Sequence, residues 1–445
     1  MTEPLALHTG TLYKEDVKKH LENTFFCPAG TQGLELTLTF TPAAAGGIRN
    51  MICVSVFSPE GFRGSGHRHG SEHRVLLSEA AATPGYFPGP LPAGEWRVVL
   101  HTHMVMSGEA LRYRLEVRPV EPSTVEPPPV ESPVTQLQPF PPTTAGWYKG
   151  DLHAHSTHSD AAWTVSQLTR AAAENGLDFV TLSDHNTVSG LPEMEALSSP
   201  DLLTLGGTEL TTFYGHALAL GRRGWLDWIG TEMPELAAQA DEDGLYIIAH
   251  PRREGDPVCT GCRWEYPLLM PGRAQVVEIW NGGAWGPHNE EALALWYSWL
   301  AAGHRLSASA GTDAHRAAAA GTAVGYNVVY AEALTEAAIL AAVRRGRSYL
   351  SSGPKLELTR PGVAAPVTGD VAELPVTLSL RYADVPDGAV LRFITNGDVR
   401  QEHPLSGEGR LELPVEGAVL WGVLELRDAH GAMLAVTNPV FTTLF

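Results

Sequence analysis

The stretch from Pro119 to Pro142 limits the folds open to this chain more than any other feature. Nine of its 24 residues are proline, interleaved with Glu, Ser, Thr and Val. Proline fixes φ and lacks an N–H, so the segment cannot run through the interior of a sheet and reads as an extended linker. The regions on its two sides are therefore expected to fold as separate units. The chain has 445 residues, and at roughly 100–200 residues per domain about three domains are expected.

Upstream of the linker, apolar and polar residues alternate. Leu34–Phe40, Met51–Phe57, Trp96–Leu100 and Leu111–Val117 read as strands separated by Gly/Pro turns. This predicts a β-sandwich over 1–118, followed by the linker at 119–146. Downstream, short apolar runs alternate with helical windows. Phe179–Leu182, Leu202–Leu205, Leu245–Ala249, Val276–Trp280 and Leu306–Ala310 are strand-like. Thr164–Asn175 reads as a helix, with Thr164 and Gln167 as a capping box and Gly176 as its stop, and Thr335–Arg345 ends at Gly346 in the same way. Strand-then-helix repetition predicts a mostly parallel sheet or barrel over 147–352. From Gly353 helix signals vanish, and Val376–Tyr382, Ala389–Ile394 and Val419–Leu426 predict a second small sandwich over 353–445.

Composition narrows the function. Hydrophobic residues make up 44% and the formal net charge is −19. The first excludes a disordered chain, and the second argues against a nucleic-acid polymer or an anionic membrane as main partner. No run of about 18 apolar residues and no leader-like start are seen, which predicts a cytoplasmic protein without a membrane span. Four cysteines are too few for a disulfide framework. A small anionic substrate is the expected partner, and a homo-oligomer stays open.

Nine of the 18 histidines fall in the middle region, most of them just after strand-like runs. His153 and His155 are two apart at a strand end, so period 2 puts both imidazoles on one face, able to bind one ion. Asp160 follows in the loop. Asp184 and His185 end the next run, Glu209 follows another, and His216 comes seven residues later. His250 and the Asp313/His315 pair end two more. Functional groups converge from strand ends in barrels of strand-helix units. Six histidines and three carboxylates exceed what one four-coordinate ion can use, so two or three metals sharing a bridging carboxylate are inferred.

The stretches DLHAHSTHSD at 151–160, LSDHN at 182–186, GTEL at 207–210, YGHALAL at 214–220, AHP at 249–251 and GTDAH at 311–315 resemble the PHP (polymerase and histidinol phosphatase) family of metal-dependent hydrolases. The resemblance covers about 200 residues of the chain and implies a distorted (βα)7 barrel. It also implies a first metal on His153, His155, Glu209 and Asp313, and a second bridged by Glu209 and held with His216 and His250. A third would lie on Asp160, His185 and His315. WNGGAW at 280–285 and LWYSWLAAGHRL at 295–306 look like a multidomain branch that includes carbaryl-type carbamate hydrolases. Ala161 stands where the family often has Gly. His/carboxylate ligands suit zinc, manganese or iron alike. A hydroxide between such ions would attack phosphorus or a carbonyl carbon. Arg252 and Arg253, directly after His250-Pro251, are placed to grip an anion, and Asp184 is expected to orient a neighbour rather than bind metal. The leading expectation is a phosphoesterase. A carbamate or carboxylic ester hydrolase using the same site is the alternative, and a non-catalytic binding protein is a third reading.

Three weaker features remain. Cys259 and Cys262 form a lone C-x-x-C, read as a loop by the site mouth and a local redox-sensitive pair. His67, His69, His73, His101 and His103 read as an adventitious surface cluster of the first sandwich. Trp280, Trp285, Trp296 and Trp299 are candidates to line a pocket, with core packing the default for the last two.

Overall fold

The computed structural model describes residues 3–106, 110–122, 144–242, 244–266, 271–317, 324–363 and 365–445. Most of the Pro-rich linker therefore lies outside the described residues.

Before the linker, two four-stranded antiparallel sheets face each other. Ala6–Leu12, Leu111–Pro119, Gly33–Thr41 and Glu72–Ser78 form one, and His20–Cys27, Gly94–Met104, Met51–Ser58 and Gly61–Gly66 form the other. Alternate residues turn inward, so Leu34, Leu36 and Leu38 meet Ile52, Val54, Val56, Trp96 and Val98 in one core. Four strands here have weak apolar alternation in the sequence and escape it: Ala6–Leu12, His20–Cys27, Gly61–Gly66 and Glu72–Ser78.

The middle region departs from the expected seven-unit strand-helix barrel. Gly146–Asp151, Phe179–Leu182 and Leu203–Thr211 pair in parallel, and so do Leu245–Ile248, Val276–Asn281 and Ser307–Gly311. Between these two sets lies His216–Leu220, antiparallel to both of its neighbours. The reason is local. Only residues 212–215 join Thr211 to His216, and a parallel crossover needs a dozen or more residues. Tyr326–Ala331 and Ser348–Ser351 also pair antiparallel, on the far side of Gly146–Asp151. Five α-helices are present among the described residues: Val165–Glu174, Leu191–Ala196, Met233–Glu242, Pro287–Ala301 and Glu336–Arg344.

The sheet curls, and side chains bridge its last strand back to the far limb. The Asn327 amide accepts from Ala310 N at 3.0 Å and donates to Ala310 O at 2.6 Å. Asn438 does the same for Ala308, at 2.6 and 3.1 Å. Both side chains are fully buried, so each amide replaces ladder hydrogen bonds that would otherwise go unmade.

The C-terminal strands do not form the separate second sandwich expected from the sequence. Ser348–Ser351 pairs with Met433–Thr437, which joins Trp421–Arg427 and the long hairpin Val376–Thr395/Asp398–Val415 to the curled sheet. Trp421, Val436 and Phe441 share one apolar core with Trp296, Trp299 and Leu300 of the helix Pro287–Ala301. No helix among the described residues is long and apolar enough to cross a membrane.

The first sandwich packs onto the middle region and is not the independent unit that the linker predicts. Phe62 stacks on Trp225 at 4.0 Å, and His20 stacks on Phe213 at 4.8 Å. Thr260 Oγ1 donates to His103 O at 2.6 Å, and Thr187 Oγ1 donates to Gly85 O at 2.8 Å. Lys18 bridges Asp256 and Glu265 at 2.8 and 3.1 Å. An aromatic pair of this kind contributes about 0.5–1.5 kcal/mol beyond its buried area. We therefore predict that a chain starting near Thr143 is recovered insoluble or melts well below the full chain in differential scanning calorimetry. An unchanged melting temperature would show the interface to be incidental.

Candidate metal centre

The candidate ligand side chains come from one end of the curled sheet. His153 and His155 follow Gly146–Asp151, His185 follows Phe179–Leu182, His250 follows Leu245–Ile248, and Asp313 and His315 follow Ser307–Gly311. His216 begins its strand rather than ending it because that strand runs antiparallel, which brings its first residue to the same end. Two of these turns are strained. His250 has φ of 29° and Asp313 of 51°, left-handed values that non-glycine residues seldom adopt and that recur at functional sites. Gly311 has no room for a side chain, since a Cβ there would lie 2.0 Å from Glu278 Oε1 and 2.4 Å from His153 Cβ.

Glu209, fully buried, is the hub. Its Oε1 lies 3.0 Å from both His216 Nδ1 and His250 Nε2. Its Oε2 lies 3.0 Å from His185 Nδ1, 3.2 Å from His153 Nε2 and 3.3 Å from His155 Nε2. Asp313 Oδ1 approaches His155 Nε2 at 3.1 Å. Asp160 sits 3.1 Å from His315 Nε2 and 3.5 Å from His185 Nε2. All nine sequence-derived ligand positions thus meet around one buried volume, and Glu209 belongs to two of its tightest groupings, one with His153 and His155 and one with His185 and His216.

The donor chemistry fits cations. Five imidazoles point a nitrogen at one carboxylate, and His153 Nε2 faces His155 Nε2 at 3.1 Å, where only one of the two can carry a proton. Burial pushes the Glu209 carboxyl up, but His185, His153 and His216 outweigh it and hold it well below its ordinary range. Burial likewise opposes a charge on His153, but Glu278, Glu209 and Asp313 raise it well above its usual value. His155, buried beside His185 and His315, falls to about 4. Neighbouring rings pushed to opposite protonation states mark a site that wants positive charge and has too few protons to share. Divalent ions meet that demand with each ring neutral and each lone pair used.

Glu278 is a site residue that sequence reasoning missed. It lies inside the strand Val276–Asn281, without a motif around it. Its carboxylate is 3.2 and 3.3 Å from His153 Nδ1 and accepts from His250 N at 2.9 Å. A carboxylate on Nδ1 leaves Nε2 as the free lone pair and fixes the ring's direction. Asp184 does not touch the histidines. It accepts from Ser156 N, Ser156 Oγ and Ser159 Oγ at 2.8, 2.7 and 2.6 Å, and so shapes the loop that carries Asp160. Asp151 plays a matching part on the other side, accepting from Thr312 N and His153 N at 3.0 and 3.1 Å. Burial lifts the Asp151 carboxyl to about 6.

A cleft of about 710 Å³ opens onto the cluster. Arg252 and Arg253 line it, with Arg263 beside them. Trp296 and Trp299 are buried in the apolar core, as expected by default, Trp280 is buried there too, and Trp285 packs against that core half-buried. Cys259 and Cys262 are joined as a disulfide on the cleft wall.

The histidines of the first sandwich are not a surface cluster. His67, His73, His101 and His103 are buried, and His67, His69 and His103 line the same cleft. His67 lies 4.4 Å from His185, ring centre to ring centre, and His69 Nε2 reaches Asp160 at 3.4 Å. The available signal was the His-x-His spacing at 67/69 and 101/103, the same spacing that marks 153/155.

No family model matches the chain. A 5'-3' exoribonuclease of Haemophilus influenzae is 35% identical over 65 residues, which is 14% of this chain and 24% of that protein. The chain thus matches about a quarter of the length of this curated relative. Among solved structures, it is similar to a two-domain protein from Bacteroides vulgatus containing a predicted PHP-like metal-dependent phosphoesterase. The identity is 17%, with 69% of this chain and 100% of that one covered and a TM-score of 0.41. An amidohydrolase from Chromobacterium violaceum with bound sulfate and no metal is 18% identical, with 37% and 87% covered and a TM-score of 0.29. Both TM-scores lie below about 0.5.

Proposed function

We propose that the chain is a polynuclear metal-dependent hydrolase of small phosphate esters, of the PHP type that its motifs resemble. The observation that carries this is the convergence of five imidazole nitrogens on the buried Glu209 carboxylate, at 3.0 to 3.3 Å. Two or three divalent ions, of zinc, manganese or iron, would supply electrophilic activation of ester and water there. His153, His155, Glu209 and Asp313 would hold one, Glu209 with His216 and His250 a second, and Asp160, His185 and His315 a third.

The chain's own residues set the rest of the chemistry. Glu278 and the strained turns at His250 and Asp313 fix the ligand directions in advance, so little reorganisation remains when substrate arrives. Three divalent ions against Asp160, Glu209, Glu278 and Asp313 would leave about +2, which favours an anionic substrate in a partly dry cleft. Arg252 and Arg253 line the approach, where their guanidinium groups can take a phosphate bidentately.

The test is a matched substrate pair. kcat/KM for an aryl phosphate should exceed that for the same aryl carbamate or acetate by at least about tenfold, only ~1.4 kcal/mol of transition-state preference. The double variant Arg252→Ala, Arg253→Ala should lose most of that margin with its metal content unchanged. A neutral ester turned over faster by the wild type would replace the phosphoesterase reading with a carbamate or carboxylic ester hydrolase.

A further inference from the structure

We propose that the first sandwich carries its own metal site, a thiophilic-ion site formed by Cys53, His67 and His103 where the sandwich meets the cleft. It is separate from the barrel ligands and does not depend on the hydrolase reading.

The strands bring the three residues together. Cys53 lies in Met51–Ser58, His67 directly follows Gly61–Gly66, and His103 lies near the end of Gly94–Met104. These three strands are neighbours in one sheet. One candidate ligand atom from each lies within 4.8 Å of the others, and all three residues are buried. Cys53 Sγ is 3.4 Å from His67 Nδ1. Bond lengths of about 2.3 Å to sulfur and 2.0–2.1 Å to nitrogen put two tetrahedral ligands of one zinc ion about 3.5 Å apart.

The second observation is His103. It is 1% exposed, and neither ring nitrogen has a hydrogen-bond partner. A buried polar nitrogen left unpaired costs about 1–3 kcal/mol, so an imidazole with both unpaired needs an explanation. An ion shared with Cys53 and His67 supplies one. Two methionines sharpen the chemistry. Met51 and Met104 pack with Cys53 in a small cluster of their own and line the cleft alongside His67 and His103. Thiolate, imidazole and nearby thioether groups select Zn2+ or Cu+ over the harder ions that carboxylate-rich sites accept. Cys53 becomes a thiolate ligand by giving its proton up as metal binds. The cleft lining includes His67 and His103, so it offers an entry path and room for a further ligand.

Cobalt distinguishes this site from the barrel, whose candidate ligands are nitrogen and oxygen only. The full-length protein loaded with Co2+ should show a thiolate-to-cobalt charge-transfer band and bind one equivalent more than the Cys53→Ser variant. Cys53→Ser and His103→Gln should each abolish the band and that equivalent, leaving the barrel ions bound. Parallel titrations with Zn2+ and Cu+ against competing chelators identify the preferred ion as the one whose tight binding requires Cys53. Two results would overturn the proposal: no thiolate band in the wild type, or a band that vanishes in Cys259→Ser, Cys262→Ser and persists in His103→Gln. Should Cys53→Ser fail to fold, the wild-type spectrum and His103→Gln decide the matter.

Discussion

Replacing Glu209 by Ala is expected to cost about two metal equivalents and nearly all turnover. The carboxylate is the shared partner of His153, His155, His185, His216 and His250, so its loss touches more ligands than that of any one of these histidines. We expect kcat/KM for an aryl phosphate to fall by at least about a thousandfold, ~4 kcal/mol of barrier. Elemental analysis of the purified variant checks the metal half of this. Glu209→Gln keeps the shape and one acceptor oxygen, so it separates loss of charge from loss of packing. If Glu209→Ala kept its full metal content, Glu209 would not be a bridge.

Glu278 should show the second largest effect, although its motif-free position gave no warning. Removing it releases His153 Nδ1 and strands the backbone N–H of His250, two contacts that hold two different candidate ligands in place. Removing a carboxylate behind a ligating histidine typically costs about 10–100-fold in metal affinity or activity. We predict that Glu278→Ala weakens metal binding within that range in a chelator competition titration. The same variant leaves empty space next to Gly311, whose lack of a side chain is what admits the Glu278 carboxylate. Metal affinity equal to wild type would reduce Glu278 to a structural role.

The convergence of the nine candidate ligands was legible because most of them sit beside a short apolar run that codes a strand, and strand ends on one side of a sheet lie close together whatever the exact topology. The topology itself was less legible. The four-residue link at 212–215 excludes a parallel crossover, yet the His216–Leu220 run looks like any other buried strand. The bridging by Asn327 and Asn438 depends on side-chain amides that occupy ladder positions, and this leaves no periodic trace. The C-terminal strands were read as strands, but their sharing of the barrel's sheet and core depends on contacts such as Tyr297 with Glu425 at 2.7 Å, far apart in sequence. The buried sandwich histidines were misread for a related reason. Alternation along a strand tells which residues share a face, and does not tell that the face is covered by another unit. Here His67 and His103 sit on the face covered by the barrel.

Stripping the full-length protein with a chelator and restoring it with defined ions tests the central claim most directly, with ion count and aryl phosphate turnover read on the same sample. Two to three ions in the middle region beyond any held through Cys53 are expected, with turnover lost to background on stripping and recovered only as those ions return. Turnover that survives stripping, or a barrel that binds no ion at all, would contradict it.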